Sequence, residues 1–374
     1  MGVALVSASV ATIFETNPRR LELVRSANEP PTATVEGVVL AGERTWRIDA
    51  LESLGPRTLL PIANRPLLSY AIGWLTDTTI GATVCSGGDS HRLQDRLRTV
   101  HDLRRVEFLD DESPRGPSGC VADVISGAQS DLIVVVEGSV IPTLDLRRLL
   151  RTHANSHAAA TIVVQPHDDS DDVTAAPDIP AGIYVFNRAV FDHVPEFGYQ
   201  DIKEGLLRRL YEAGASVRVH QADEWCPRVI DSRSYLAASQ WAIRRLSHER
   251  GSAVVADPTA HIADDAVLVG PVVIGANVVI SEGASIIGPA SIGRDSLVQP
   301  HAVVSRSMMW ERCTVGTGAL VDQTILVDGA SVEDRNTVME MVCTAPPAPR
   351  PMPTGPSVWR NRLARGIVAV RTTD

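Results

Sequence analysis

From Ile262 an aliphatic residue returns at every sixth position: Ile262, Leu268, Ile274, Ile280, Ile286, Ile292, Val298 and Val304. Four places after most of them stands something small or β-branched: Ala266, Val272, Val278, Ala284, Ala290, Ser296 and Ala302. This period fits neither a helix nor the simple alternation of a strand. It is a solenoid period, in which each short strand forms one side of a triangular coil and turns its aliphatic residue inward. The small residue fits the tight corner. The phase slips near Trp310 and is expected to resume at Val315, Val321 and Val327. His261 and His301 are read as surface or corner residues.

Upstream of the coil the pattern is different. Apolar runs at Val38–Leu40, Ile133–Val136, Thr161–Val164 and Gly182–Phe186 alternate with helical patterns near Pro66–Leu75, Asp201–Tyr211 and Tyr235–Leu246. Such alternation argues for an α/β domain with a mostly parallel sheet. At 374 residues the chain has room for both units. Its net charge of −10 argues against a nucleic-acid-binding body. No apolar run has membrane-spanning length, and the first residues, with no basic stretch before their apolar ones, make a poor signal peptide. Cys85, Cys120, Cys226, Cys313 and Cys343 include no C-x-x-C pair, so neither zinc nor a disulfide framework is indicated. Lys203 is the sole lysine, and any chemistry that requires lysine has that one candidate.

Residues 38–61 read VVLAGERTWRIDALESLGPRTLLP. A buried strand that runs straight into small residues leaves backbone N–H groups free to meet a phosphate. The stretch resembles the signature of the sugar-1-phosphate nucleotidyltransferases, L-A-G-G-x-G-T-R-L followed by P-K-P-L-L-P. Leu40, Ala41, Gly42, Arg47, Pro56, Leu59, Leu60 and Pro61 match it. The segment Glu112-Ser113-Pro114-Arg115-Gly116-Pro117-Ser118-Gly119 resembles the family's E-x-P-x-G-T-A-G loop, and Pro180-Ala181-Gly182-Ile183-Tyr184-Val185-Phe186 resembles its N-A-G-I-Y-V-F strand. The resemblance implies a Rossmann-like nucleotidyltransferase domain followed by the hexapeptide-repeat left-handed β-helix that many members carry. The turn Ser307–Trp310 is similar to the mannose-1-phosphate guanylyltransferase branch.

Family members join a nucleoside triphosphate to a sugar-1-phosphate with Mg²⁺, held by two aspartates. By the same resemblance, Arg47 and Arg57 take the catalytic cationic positions. Leu40, Ala41, Gly42, Glu112, Gly116, Gly119 and Gly182 take nucleotide- or sugar-binding positions. The departures fall on the chemistry. Glu43, Thr45 and Trp46 replace the second Gly, the third Gly and the Thr of the loop, and Arg57 replaces the Lys. Where the family has N-G-D this chain has Glu137-Gly138-Ser139, and the second aspartate position is Arg228. A guanidinium cannot ligate a metal. Two carboxylates replaced by one hydroxyl and one fixed cation shift the local charge by about three units. The family's E-K-P segment has no counterpart in the acidic stretch before Pro180. Glu137 and Asp231 are the nearest acids to a metal, but neighbouring strand residues point to opposite sides of the sheet, which counts against rescue by either.

The expected organisation is an N-terminal extension (1–34), the nucleotidyltransferase-like domain (35–250), the β-helix (257–340), and a Pro-rich linker with a basic tail (345–374). The leading expectation is a non-catalytic, regulatory homologue that binds a nucleotide or nucleotide sugar. One alternative is an active enzyme making a nucleotide sugar such as GDP-mannose, and only that reading requires Mg²⁺. Another is a scaffold acting through the β-helix. A cytoplasmic homo-oligomer, or a hetero-oligomer with an active paralogue, completes the expectation.

Overall fold

A computed structural model describes residues 33–42, 51, 55–78, 81–88, 90–99, 102–111, 115–127, 130–165 and 178–345. The calls on Arg47, Glu43, Thr45, Trp46 and Glu112, on most of the N-terminal extension and on the basic tail lie outside these residues.

The first unit is built on strands β1 (Val35–Leu40), β4 (Ala82–Ser86), β5 (Val106–Asp110), β6 (Leu132–Glu137), β7 (Ala160–Gln165), β8 (Ile179–Asn187) and β9 (Val217–Gln221). They form one sheet in the order β5-β4-β1-β6-β8-β7-β9. β1 is parallel to both β4 and β6, and β8 is antiparallel to β6 and β7. A small hairpin, β2 (Pro61–Ile62) and β3 (Arg65–Pro66), leads into helix α1 (Leu68–Thr76). The other helices are α2 (Ser90–Leu97), α3 (Pro117–Ile125), α4 (Leu146–Ser156), α5 (Arg208–Glu212) and α6 (Ser232–Arg250).

Successive strand residues point to opposite faces, and both faces are covered. Val39, Val134 and Val136 pack with Leu68, Ile72 and Leu75 of α1, Leu93 of α2 and Leu149 of α4. Val38, Ile133, Val135, Tyr184 and Phe186 pack with Val121 of α3 and Leu210 of α5. The strands therefore read as continuous apolar runs, as a sheet buried on two sides must. Helices α4 and α6 start where polar side chains cap them. Asp145 accepts from the N–H groups of Arg147 and Arg148 at 2.8 and 3.3 Å, and Asp231 with Ser234 forms a capping box on α6.

From Val254 to Cys343 short strands stack into three parallel sheets of six, five and five strands. This is the coil expected of a left-handed β-helix. Ile286 stacks between Leu268 and Val304 on neighbouring coils. The corner residues Val278, Ala284, Ala290 and Ala302 are fully buried. His301 takes a left-handed backbone, φ 61°, at a corner.

One detail of the period is corrected. The slip is not a single event. After the second Gly-Pro corner, the turn between sides loses a residue on every coil, and Arg306, Gln323 and Glu340 each make that turn alone with φ of 47°, 46° and 53°. The interior positions become Met309, Val315, Val321, Leu326 and Val332. Val327, expected inside, instead faces α6 with Val273, Met308, Trp310 and Ile325. A one-residue corner shortens the side by one, and the inward residue moves with it.

α6 joins the two units. Its Tyr235 is fully buried between the hairpin and the coil. The Tyr235 hydroxyl donates to the Pro61 carbonyl at 2.6 Å and accepts from the Trp310 indole N–H at 2.8 Å. Asn64, at the hairpin tip, donates to the Ile292 carbonyl at 2.9 Å. The coil is therefore hydrogen-bonded directly to the hairpin tip and, through the Tyr235 hydroxyl, to Pro61 at the end of the P-R-T-L-L-P turn.

Candidate functional site

The parallel strands β1, β4 and β6 end side by side, and loops beyond such ends are where α/β sheets hold ligands. Leu40 pairs with Glu137 in register. The Ala41 N–H donates to the Cys85 carbonyl at 2.8 Å, and the Gly138 N–H donates to the Leu40 carbonyl at 2.9 Å. Gly42 is exposed, with open space where a side chain would stand. A backbone open at this point is what a phosphate needs.

The P-R-T-L-L-P stretch folds over the end of β6. Arg57–Leu59 form a 3₁₀ turn. A Cβ at Gly138 would lie 3.0 Å from the Thr58 methyl, so the two segments touch. Arg57 Nη1 donates to the Val229 carbonyl at 3.3 Å. Residues 227–229 run antiparallel to 139–141. The Val229 N–H donates to the Ser139 carbonyl at 2.9 Å, and the Ile141 N–H to the Pro227 carbonyl at 2.8 Å. Val140 bridges Arg228. Arg57, Ser139 and Arg228, read separately from the sequence, meet in one cluster.

The sequence singled out both residues at the centre of the cluster but not their pairing. Arg228 Nη2 forms an ion pair with Glu137 Oε2. The Glu137 side chain is 6% exposed and the Arg228 side chain 23%. The Tyr184 hydroxyl lies 3.5 Å from Glu137 Oε1. A carboxylate so buried needs a compensating charge, and Arg228 supplies it. One unit of the positive shift inferred from sequence is thereby cancelled. The available signal was an acid ending the apolar run Val134-Val135-Val136 beside a cation at the second aspartate position.

Gly182 belongs to this contact. It has φ 82°, and a Cβ there would sit 3.2 Å from Glu137 Cδ. Its bareness lets the glutamate cross β8 towards Arg228. Gly116 and Gly119 also have internal reasons to be glycine. A Cβ on Gly116 would meet the Gln200 carbonyl oxygen at 2.8 Å, and one on Gly119 the Arg115 Cβ at 2.5 Å. This loop is zipped to Gln200 by the Ser118 N–H, which donates to the Gln200 carbonyl at 2.9 Å. Lys203 sits away from the cluster, in a π-helical turn, Ile202–Leu207, that packs with α3.

Magnesium demands hard oxygen ligands, and the residues at the two aspartate positions do not fit it. Ser139 is neutral and Arg228 is a cation. Glu137 is committed to Arg228. Asp231 is spent on the capping box, accepting from the Ser234 N–H at 2.8 Å. Among the described residues no three His, Cys, Asp or Glu side chains are grouped to hold a metal. The cysteines of the described residues are all unpaired thiols. Hydrogen bonding to Cys120 and burial push the Cys85 thiol up, which keeps it inert.

The sequence falls into two known families in succession. Residues 37–217 match the MobA-like NTP transferase domain, and residues 251–347 match the GMPPB C-terminal domain. The chain belongs to the sugar-1-phosphate nucleotidyltransferase family. Among relatives, it is 25% identical to a mannose-1-phosphate guanylyltransferase of Mycobacterium tuberculosis, over 67% of this chain and 78% of that one. It is 20% identical to a D-glycero-alpha-D-manno-heptose 1-phosphate guanylyltransferase of Aneurinibacillus thermoaerophilus, over 42% and 77%. It is 26% identical to a UTP–glucose-1-phosphate uridylyltransferase of Synechocystis, over 83% and 93%. The described helices include none long and apolar enough to cross a membrane.

Proposed function

We infer that this family member binds a nucleotide or nucleotide sugar at the end of β1 without running the Mg²⁺-dependent transfer, and that it serves as a regulatory subunit. The observation that supports this is the ion pair of Arg228 with Glu137 beside Ser139. A fixed cation occupies the position from which the family's second aspartate would approach the metal, and the neighbouring acid is used to hold that cation. The open backbone at Gly42 keeps the means to bind an anion. Guanine is the proposed base, from the printed activities of the relatives in M. tuberculosis and A. thermoaerophilus, and mannose is the proposed sugar, from the first of these alone. The proposed setting is cytoplasmic, in a homo-oligomer or in a hetero-oligomer with an active paralogue.

The test is an assay of pyrophosphate release from GTP and mannose-1-phosphate with Mg²⁺, run beside a thermal-shift titration with GDP-mannose. Stabilisation by GDP-mannose without pyrophosphate release is the expected result. Sustained release overturns it in favour of a working transferase, the second reading, which the relatives' printed activities favour.

A further inference from the structure

We propose that the outer face of one coil sheet is the docking site for the basic tail of the same chain, with Trp359, Leu363, Ile367 and Val370 as the contacting side chains.

The three sides of the coil are unlike one another. The side that carries Met308 and Ile325 packs against α6. The second side runs outward-facing from His261 through Val279, Leu297 and Thr314 to Ser331, and is polar at both ends. The third side is the sheet of Val267–Val269, Ser285–Ile287, Val303–Ser305, Leu320–Asp322 and Thr337–Met339. Its middle residues, Leu268, Ile286 and Val304 among them, point into the coil, so the residues on either side point out. Val267, Val269, Ile287 and Met339 are 50%, 51%, 38% and 53% exposed there. Four of the six large apolar side chains exposed on the coil therefore share one face.

The chain that follows is built to reach this face. The last strand of the coil, Val342–Cys343, lies one corner beyond Met339. The Pro-rich stretch from Ala345 to Pro356 comes next, and at the rise of an extended polyproline segment it spans up to about 37 Å. Five strands at their usual spacing make a face about 19 Å tall, so every strand of it lies within reach. Trp359, Leu363, Ile367 and Val370 then recur at steps of four, four and three, the apolar stripe of a helix. From Trp359 to Val370 such a helix runs about 17 Å, close to the height of the face. A helix this short is marginal in water by itself, and an apolar sheet face supplies the packing it lacks.

Charge selects the same partner. Residues 345–374 hold five arginines and one aspartate, whereas residues 254–343 hold eleven carboxylates and four arginines. Asp264, Asp265, Glu282, Glu333 and Asp334 are exposed in the turns that lead into the first, second and last strands of the apolar face. That acidic edge complements Arg360, Arg362, Arg365 and Arg371, which alternate with the apolar residues of the tail.

The test is hydrogen exchange, read by mass spectrometry on the full chain as wild type and as two double variants. Leu363→Asp/Ile367→Asp alters the tail, and Val269→Asp/Ile287→Asp alters the face at exposed positions. Amides of residues 359–370 are expected to exchange about tenfold or more slowly in wild type than in either variant. Raising salt to about 0.5 M is expected to narrow that difference. Coil amides in the same spectra report whether each variant is folded, and Met339→Asp, a single exposed change on the last strand of the face, serves where the double face variant unfolds. Wild-type tail amides that exchange as fast as those of the tail variant overturn the docking, and so does protection that a folded face variant leaves intact. Protection that grows with protein concentration overturns the contact within one chain and assigns the face to a second copy. Protection that appears only with phosphatidylglycerol vesicles overturns it in favour of a membrane surface.

Discussion

In the coil, Ile286 meets Leu268 and Val304, its counterparts one coil away on either side. In the site, Glu137 meets Arg228 across 91 positions of sequence. The first contact repeats down the length of the coil; the second is made once. A repeated contact tolerates small errors, because each coil rests only on its neighbours. The corner can lose a residue on every coil after the second, and the stack continues with Leu326 where Val327 was expected. The site has no such averaging. With Arg228 set against the strand end, one compensating residue, Glu137, decides whether the cation is stable there.

This difference sets expectations for substitutions. The largest stability effect should come from the coil. Ile286→Ala removes a fully buried side chain in mid-stack and should cost about 4 kcal/mol, read by urea unfolding. Ligand affinity in the folded fraction should be unchanged; a change in affinity would break the separation of the two regions. Next is Arg228→Met, which leaves Glu137 buried without its partner and should cost about 3 kcal/mol. Adding Glu137→Gln should recover most of that loss, and absence of recovery would show that the pair is not the source.

Tyr235→Phe probes the seam between the regions. It strips a donor from the Pro61 carbonyl and an acceptor from the Trp310 indole, both in a buried setting. The expected loss is about 2 kcal/mol, with GDP-mannose affinity reduced because Pro61 closes the turn that carries Arg57. An unaltered affinity would sharpen the comparison by showing that the coil supports the site without tuning it.

The smallest effect concerns pH. His153 of α4 is buried, with Nδ1 2.8 Å from Thr161 Oγ1 and Nε2 3.1 Å from Asn187 Oδ1. A neutral ring satisfies both, accepting at Nδ1 and donating at Nε2. Burial lowers its pKa, while the Asn187 hydrogen bond partly opposes the change. Below the ordinary value of 6.5 the unfolded chain therefore binds a proton more readily than the folded one. The contribution to stability is complete above that pH and is lost as pH falls from it towards the lowered folded value. His220 is shifted in the same direction, chiefly by burial. Melting temperature should fall on acidification below 6.5, and His153→Gln should flatten that slope while lowering the plateau.

Much of this was legible in the residues. Local pattern was enough for the coil, because a period repeated eight times leaves no competing arrangement. It was also enough for the buried sheet. The runs at Val38–Leu40, Ile133–Val136, Thr161–Val164 and Gly182–Phe186 all lie within strands of the one sheet. The matched motif placed Gly42, Arg57, Ser139 and Arg228, and the structure brings the last three into one cluster.

Partnership was what sequence alone could not settle. The acid at Glu137 read as a possible rescue for a metal, with the facing of neighbouring strand residues to opposite sides counting against it; sequence does not say which loop will lie across the strand end. Only the return of residues 227–229 alongside 139–141 put the Arg228 fork against that carboxylate. The same holds for Gly116, Gly119 and Gly182. Sequence marks them as places where something comes close; tertiary structure names Gln200 for Gly116 and Glu137 for Gly182, while the neighbour of Gly119 is Arg115 of its own turn. Period and hydrophobicity are properties of a segment and survive in isolation; charge compensation belongs to a pair, and the pair exists only once the chain has closed the distance.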